Sequence, residues 1–125
     1  MSETVVLKIP AKAEYVLAAR LTASAVAQRF SLPIDDLEDI KMAVGEALVL
    51  LIAQQREKGS IRIEYRREDD AFTVTLTRDA GCEPKISDPE QAELSEAIID
   101  ALMDELYIRE VSGCVESIGF MKKVG

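Results

Sequence analysis

Apolar residues recur along this chain with two periods, and the places where the period changes mark its elements. Residues 4–9, TVVLKI, alternate weakly and are rich in β-branched side chains, which predicts a first strand ended by Pro10. From about Ala13 to Phe30 the residues Val16, Leu17, Leu21, Ala25 and Val26 fall at helical spacing. Leu32-Pro33 breaks that helix, and Asp35 or Asp36 can cap the next, where carboxylates favour the positive end of the dipole. The second helix is expected to reach about Lys58, with Gly59 as its C-cap.

That second helix is the most informative stretch. Leu37, Ile40, Val44, Ala47, Leu48 and Leu51 form a stripe that must face a core. A second face carries Asp39, Ala43, Glu46 and Leu50, and Glu46 is followed by an unbroken apolar run from Ala47 to Ala53. Residues four apart are neighbours on a helix, so Glu46 and Leu50 are expected to look into the same space.

Beyond the helix, Ile61, Ile63 and Tyr65 alternate with Arg62, Glu64 and Arg66. After a polar turn at Glu68 to Asp70, Phe72, Val74 and Leu76 alternate with Thr73, Thr75 and Thr77. This predicts two antiparallel strands with one dry and one wet face. Asp79-Ala80-Gly81 closes the second of them, and a loop with Pro84 and Pro89 leads to a helix from about Pro89 to Leu106, with Leu94, Ala97, Ile98, Ala101 and Leu102 as its stripe. Tyr107 to Val111, a turn at Ser112-Gly113 and Val115 to Lys122 read as a final hairpin. The order is βααββαββ. It predicts an α+β fold, a two-layer α/β sandwich in which helices cover one face of a mostly antiparallel sheet and the other face is wet.

Length and charge narrow the possibilities. With 125 residues, 48% of them apolar, the chain suffices for one domain, residues 1–125, with a real core. A formal charge of −8 argues against non-specific binding to nucleic acid or anionic membrane, both of which need a positive field, and leaves a protein partner with a basic surface open. No apolar run approaches a bilayer span, and Glu3 stands where a signal peptide would need a basic region, so the chain is read as cytoplasmic. Cys82 and Cys114 are read as ordinary reduced thiols. With no histidine anywhere, serine–histidine and cysteine–histidine nucleophilic machinery is excluded.

Three pieces in order, LKIPAKAEYVLAARLTASAVA, LEDIKMAVGEA and ALMDEL, resemble the anti-sigma factor serine kinases of the GHKL ATPase superfamily, over nearly the whole chain. The resemblance implies the Bergerat nucleotide-binding sandwich. It also implies a protein that inhibits a bacterial sigma factor and uses Mg-ATP to phosphorylate a serine or threonine on an anti-anti-sigma antagonist. Carried over, Glu46 is the general base that activates the attacking hydroxyl. Asp79 and Gly81 are the Asp-x-Gly in which the aspartate takes the adenine amino group and the glycine lets the backbone approach the base.

Other positions depart from the family pattern. Leu50 stands where the family places a magnesium-coordinating asparagine, and leucine offers no oxygen. The glycine-rich segment that wraps the phosphates reads Ala92-Glu93-Leu94-Ser95, with a negative charge beside the phosphates, and Gly81 and Ala92 are too close for the family's lid loop.

Plainer readings stand beside these. Glu46 can be a helix-edge residue that reaches water, Asp79-Ala80-Gly81 a strand-ending turn, and Arg62, Glu64, Arg66 and Arg67 a solvated sheet face that could also meet an acidic partner. Two functions follow. One is a protein-binding module in partner-switching control, binding a sigma factor or an anti-anti-sigma-like regulator, with a degenerate ATP site and no cofactor. The other is a working serine/threonine kinase with Mg-ATP as cofactor. A homodimer is expected in either case, because the family dimerises and the fold offers edge strands.

Overall fold

The computed structural model describes residues 3–56, 58–84 and 88–124. Its elements are β1 (Glu3–Pro10), a single 3-10 turn (Ala13–Tyr15), α1 (Val16–Arg29), α2 (Ile34–Ala53), β2 (Ser60–Glu68), β3 (Ala71–Arg78), α3 (Pro89–Leu102), β4 (Glu105–Val111) and β5 (Cys114–Lys123). The five strands form one antiparallel sheet in the order β1-β2-β3-β5-β4. Helices α1, α2 and α3 lie on one face with α2 in the middle. The fold is thus the α+β sandwich the period changes predict.

The two-residue period places the core. Ile61, Ile63 and Tyr65 of β2, Phe72, Val74 and Leu76 of β3, and Ile118 and Phe120 of β5 are buried, and they meet Ile40, Val44, Ala47, Leu48 and Leu51 of α2. Tyr65 donates its hydroxyl to Ala19 O at 2.9 Å, tying the sheet to α1, and burial raises its phenol pKa above the ordinary value. The opposite face carries short-range ion pairs, Arg62 with Glu64 and Arg66 with Glu68, as wet strands do. Among the described residues no helix is long and apolar enough to cross a membrane.

Several expected boundaries move. α2 begins directly after Pro33, so Asp35 and Asp36 sit inside its first turn instead of capping it. It ends at Ala53 rather than near Lys58, with Gln54 as its C-cap. Gln54 is only 2% exposed, and its amide bonds across the molecule, donating to Gly113 O and accepting from Val115 N–H, both at 2.9 Å. Those long-range bonds stop the helix, and Gly59 serves the start of β2 instead. α3 ends at Leu102 because residues from Glu105 pair with β5, and Asp104 holds the corner by accepting from Lys123 N–H at 2.6 Å. Of the loop expected between Gly81 and α3, residues 85–87 lie outside the described ones.

The cysteines are also corrected. Cys82 and Cys114 form a disulfide with Cα atoms 6.2 Å apart, joining the segment after β3 to the start of β5. Their separation of 32 residues gave no sequence signal, since only the fold brings the two segments together.

Candidate functional site

The residues that the resemblance assigns to one site lie on three elements. Glu46 is in the middle of α2, Asp79-Ala80-Gly81 directly follows β3, and Ala92 to Ser95 are inside α3. The sheet and α2 fix the geometry of each, and each has a different environment.

On the base side, Asp79 is bound within the chain. One carboxylate oxygen accepts the Ser60 backbone N–H and the other accepts the Ser60 hydroxyl, both at 2.7 Å. Ser60 opens β2 beside the end of β3, so the carboxylate closes the open end of that ladder. The Ser60 backbone bond, then its hydroxyl, hold the Asp79 carboxyl below the usual carboxylate range. Ala80 O accepts from Gln55 Nε2 and Gly81 O from Arg56 N–H, both at 2.8 Å. Gly81 has φ +85°, a turn conformation that glycine takes without strain. Gly59 permits the close packing here, since a Cβ on it would lie 2.7 Å from Ala80 O and 3.1 Å from Asp79 Oδ1.

On the phosphate side, Leu50 is 8% exposed and lines a cavity of about 140 Å³ with Val49, Ala53, Asp88, Gln91 and Ala92. Asp88 is committed as the N-cap of α3, accepting from Gln91 N–H at 3.0 Å. α3 then runs unbroken through Glu93, Leu94 and Ser95. These lie beyond its first four residues, so their N–H groups are used inside the helix and do not point at a ligand. Magnesium needs several oxygen ligands in near-octahedral array, and beside leucine, valine and alanine this cavity offers only the Gln91 amide and the Asp88 carboxylate, one oxygen of which caps α3. At the position of Leu50 this lining does not supply the oxygen set that magnesium takes.

Glu46 opens elsewhere. It is half-buried, has no hydrogen-bond or ion-pair partner among the described residues, and lines an open groove of about 380 Å³ with Val16, Arg20, Met42, Gly45, Val49 and Ile98. Arg20 lies across Gly45, where a Cβ would come within 3.3 Å of its Cδ, and its Nε is buried without a partner among the described residues. Glu46 and Leu50 therefore face two neighbouring cavities with Val49 lining both, and not one shared space as their spacing suggests. On the helices, Leu17 and Leu21 of α1, Met42 of α2 and Leu94 of α3 are each more than half exposed, and Met42 among them lines the groove. The structure brings Glu46 beside an apolar surface, and no residue of Asp79 to Gly81 lines either cavity.

Sequence reasoning passed over Gln54 and Arg78. Arg78 is 4% exposed and donates to Leu51 O at 2.8 Å, Val115 O at 3.1 Å and Gln55 Oε1, so it satisfies the carboxyl end of α2. Burial lowers its pKa, partly opposed by Glu116. The signal was present: Arg78 continues the Phe72, Val74, Leu76 alternation onto the dry face.

By sequence, residues 9–116 match the histidine kinase-like ATPase domain family. The chain is 34% identical to a protein of Halalkalibacterium halodurans described as serine-protein kinase RsbW, over 90% of this chain and 80% of that relative. Proteins of the same description from Bacillus mycoides and Bacillus cereus are each 39% identical over 59% of this chain. Those two alignments span 48% of the relatives' own length.

Proposed function

The chain belongs to the anti-sigma factor serine kinase family of histidine kinase-like ATPases, and from that premise we propose that it acts as a protein-binding regulator in partner switching without transferring phosphate. The observation that carries this reading is Leu50, buried against the first turns of α3 at the position of the family's metal ligand. Phosphoryl transfer depends on positioning and on neutralising charge around the phosphates, and here the metal ligand, the phosphate-wrapping amides and the free aspartate are all replaced or engaged. Asp79 and Gly81 serve as a turn that ends β3, and Glu46 serves as one polar point on a docking surface.

The partner is a sigma factor or an anti-anti-sigma-like regulator. The exposed apolar set of Leu17, Leu21, Met42 and Leu94 on the helices, with Met42 beside Glu46, supports the helix layer as the docking face. The chain acts in the cytoplasm as a homodimer, and light scattering returning the monomer mass at high concentration would contradict the dimer.

The test is direct. The protein is incubated with Mg-ATP and a cognate antagonist, and phosphoserine or phosphothreonine is sought by mass spectrometry. No phosphate transfer is expected, while binding to the sigma factor or the antagonist persists in calorimetry and is lost in a Leu17→Asp/Leu21→Asp variant. Transfer that disappears in Glu46→Ala would establish the alternative, a working kinase, which the opening of Glu46 into the groove favours.

A further inference from the structure

The disulfide lies at a crossing point of three segments. Cys82 immediately follows Asp79-Ala80-Gly81, Cys114 opens β5 after the Ser112-Gly113 turn, and Gln54 at the end of α2 lies between the two. Gln54 binds both sides, taking Glu83 N–H on its backbone carbonyl at 2.7 Å while its side chain holds Gly113 O and Val115 N–H. Gln55 forms a bridge with Cys82, and Arg56 N–H binds Gly81 O. The sulfur bridge is the covalent link across this gap, and beside it stand these hydrogen bonds and the exposed Arg56–Glu83 ion pair at 3.3 Å.

The two sulfurs differ in access. Cys82 is half-buried and Cys114 is buried at 8% exposure. A thiolate arriving from solvent meets Cys82 first. We infer that Cys82–Cys114 is a reversible thiol–disulfide exchange site whose reduction releases the segment from Gly81 to Glu83 from the β4–β5 turn.

The chemistry balances with a small-molecule thiol and its disulfide as co-reactants. The external thiolate attacks Sγ of Cys82, forming a mixed disulfide and expelling the Cys114 thiolate, which takes a proton from water. A second thiol attacks the mixed disulfide, leaves as the small-molecule disulfide and returns Cys82 as a thiol. Overall, two external thiols are oxidised and the protein disulfide is reduced to two cysteines. The reverse sequence closes the bridge. This inference goes beyond partner binding and stands without it, because neither nucleotide nor protein partner enters the test.

The full chain is equilibrated with glutathione and glutathione disulfide over a range of ratios, quenched by alkylation and read by intact and peptide mass spectrometry. The expected result is a reversible two-electron transition between the intramolecular disulfide and two thiols, reached from either direction. Hydrogen exchange is then followed in both states at the amides of Arg56, Glu83 and Val115, which donate across the crossing. Exchange at these three is expected to rise about tenfold or more on reduction, with the amides of α1 unchanged as the control. A Cys82→Ser/Cys114→Ser variant should match the reduced protein; if it fails to fold, reduction of the native chain supplies the same comparison. Persistently free thiols, intermolecular disulfides only, a bridge that yields only on global unfolding, or equal exchange in both states would each overturn the inference.

Discussion

The base side and the phosphate side of the region around α2 differ in opposite directions. Asp79-Ala80-Gly81 keeps the residue types that would recognise adenine, yet Ser60, Gln55 and Arg56 occupy its polar groups. Leu50 and Ala92 to Ser95 lack the residue types that would hold magnesium and phosphate; Leu50 and Ala92 line one small cavity between α2 and α3, while Glu93 and Leu94 are exposed. On the base side, the same three residues thus read as a ligand motif in the sequence and serve as a hydrogen-bonded turn in the structure.

Restoring the family's residue on the phosphate side should have the largest effect. Leu50→Asn removes buried hydrocarbon and places an amide among Val49, Ala53 and Ala92, which should cost about 2–4 kcal/mol and lower the thermal midpoint by roughly 10 °C. A variant as stable as the parent, or one stabilised by magnesium, would break the contrast between the two sides.

On the base side, Gly59→Ala sharpens the contrast. The added Cβ would lie 2.6 Å from Gln55 Nε2 and 2.7 Å from Ala80 O, a clash expected to cost about 1–3 kcal/mol in denaturant unfolding. A neutral outcome would mean that this segment has room to move and is not held by its partners.

Asp79→Asn should have a smaller effect with a characteristic pH dependence. The folded carboxyl titrates below its unfolded value of about 3.9, so its contribution is complete above that pH and is lost as pH falls through the folded value. The stability difference between parent and variant should be constant near neutrality and shrink below about pH 4. A difference independent of pH would remove the Ser60 bonds as its source. Smallest of all, Glu46→Gln should change stability by under about 0.5 kcal/mol, because the carboxylate has no partner among the described residues to lose. A large loss would show that Glu46 is structural and not part of an exposed docking face.

The sheet and α2 were legible because β2 and β3 each bury one face and α2 buries one stripe, so both periods appear in the sequence; on α1 and α3 the expected stripes are not the buried ones, since Leu17, Leu21 and Leu94 are more than half exposed while Ala19, Ala23, Ser95 and Ile99 are buried. Ile61 to Leu76 are the clearest case. The end of α2 was not legible, since Gln54 stops the helix through bonds to Gly113 and Val115, about sixty residues away. The disulfide was hidden for the same reason. In the site, helical spacing put Glu46 and Leu50 into one space, whereas the packing of α1 and α3 on either side of α2 gives them two neighbouring cavities. The commitment of Asp79 to Ser60 depends on the β2–β3 register, which pairs Ile61 with Arg78 and brings the two residues together.

Calorimetric titration with millimolar Mg-ATP, in both thiol states, asks directly whether this chain keeps a working Mg-ATP site. No saturable heat and no rise in thermal midpoint are expected in either state. Saturable binding that is lost in Asp79→Asn would contradict that expectation, with a stabilisation of about 2.7 kcal/mol at a hundredfold excess over the dissociation constant.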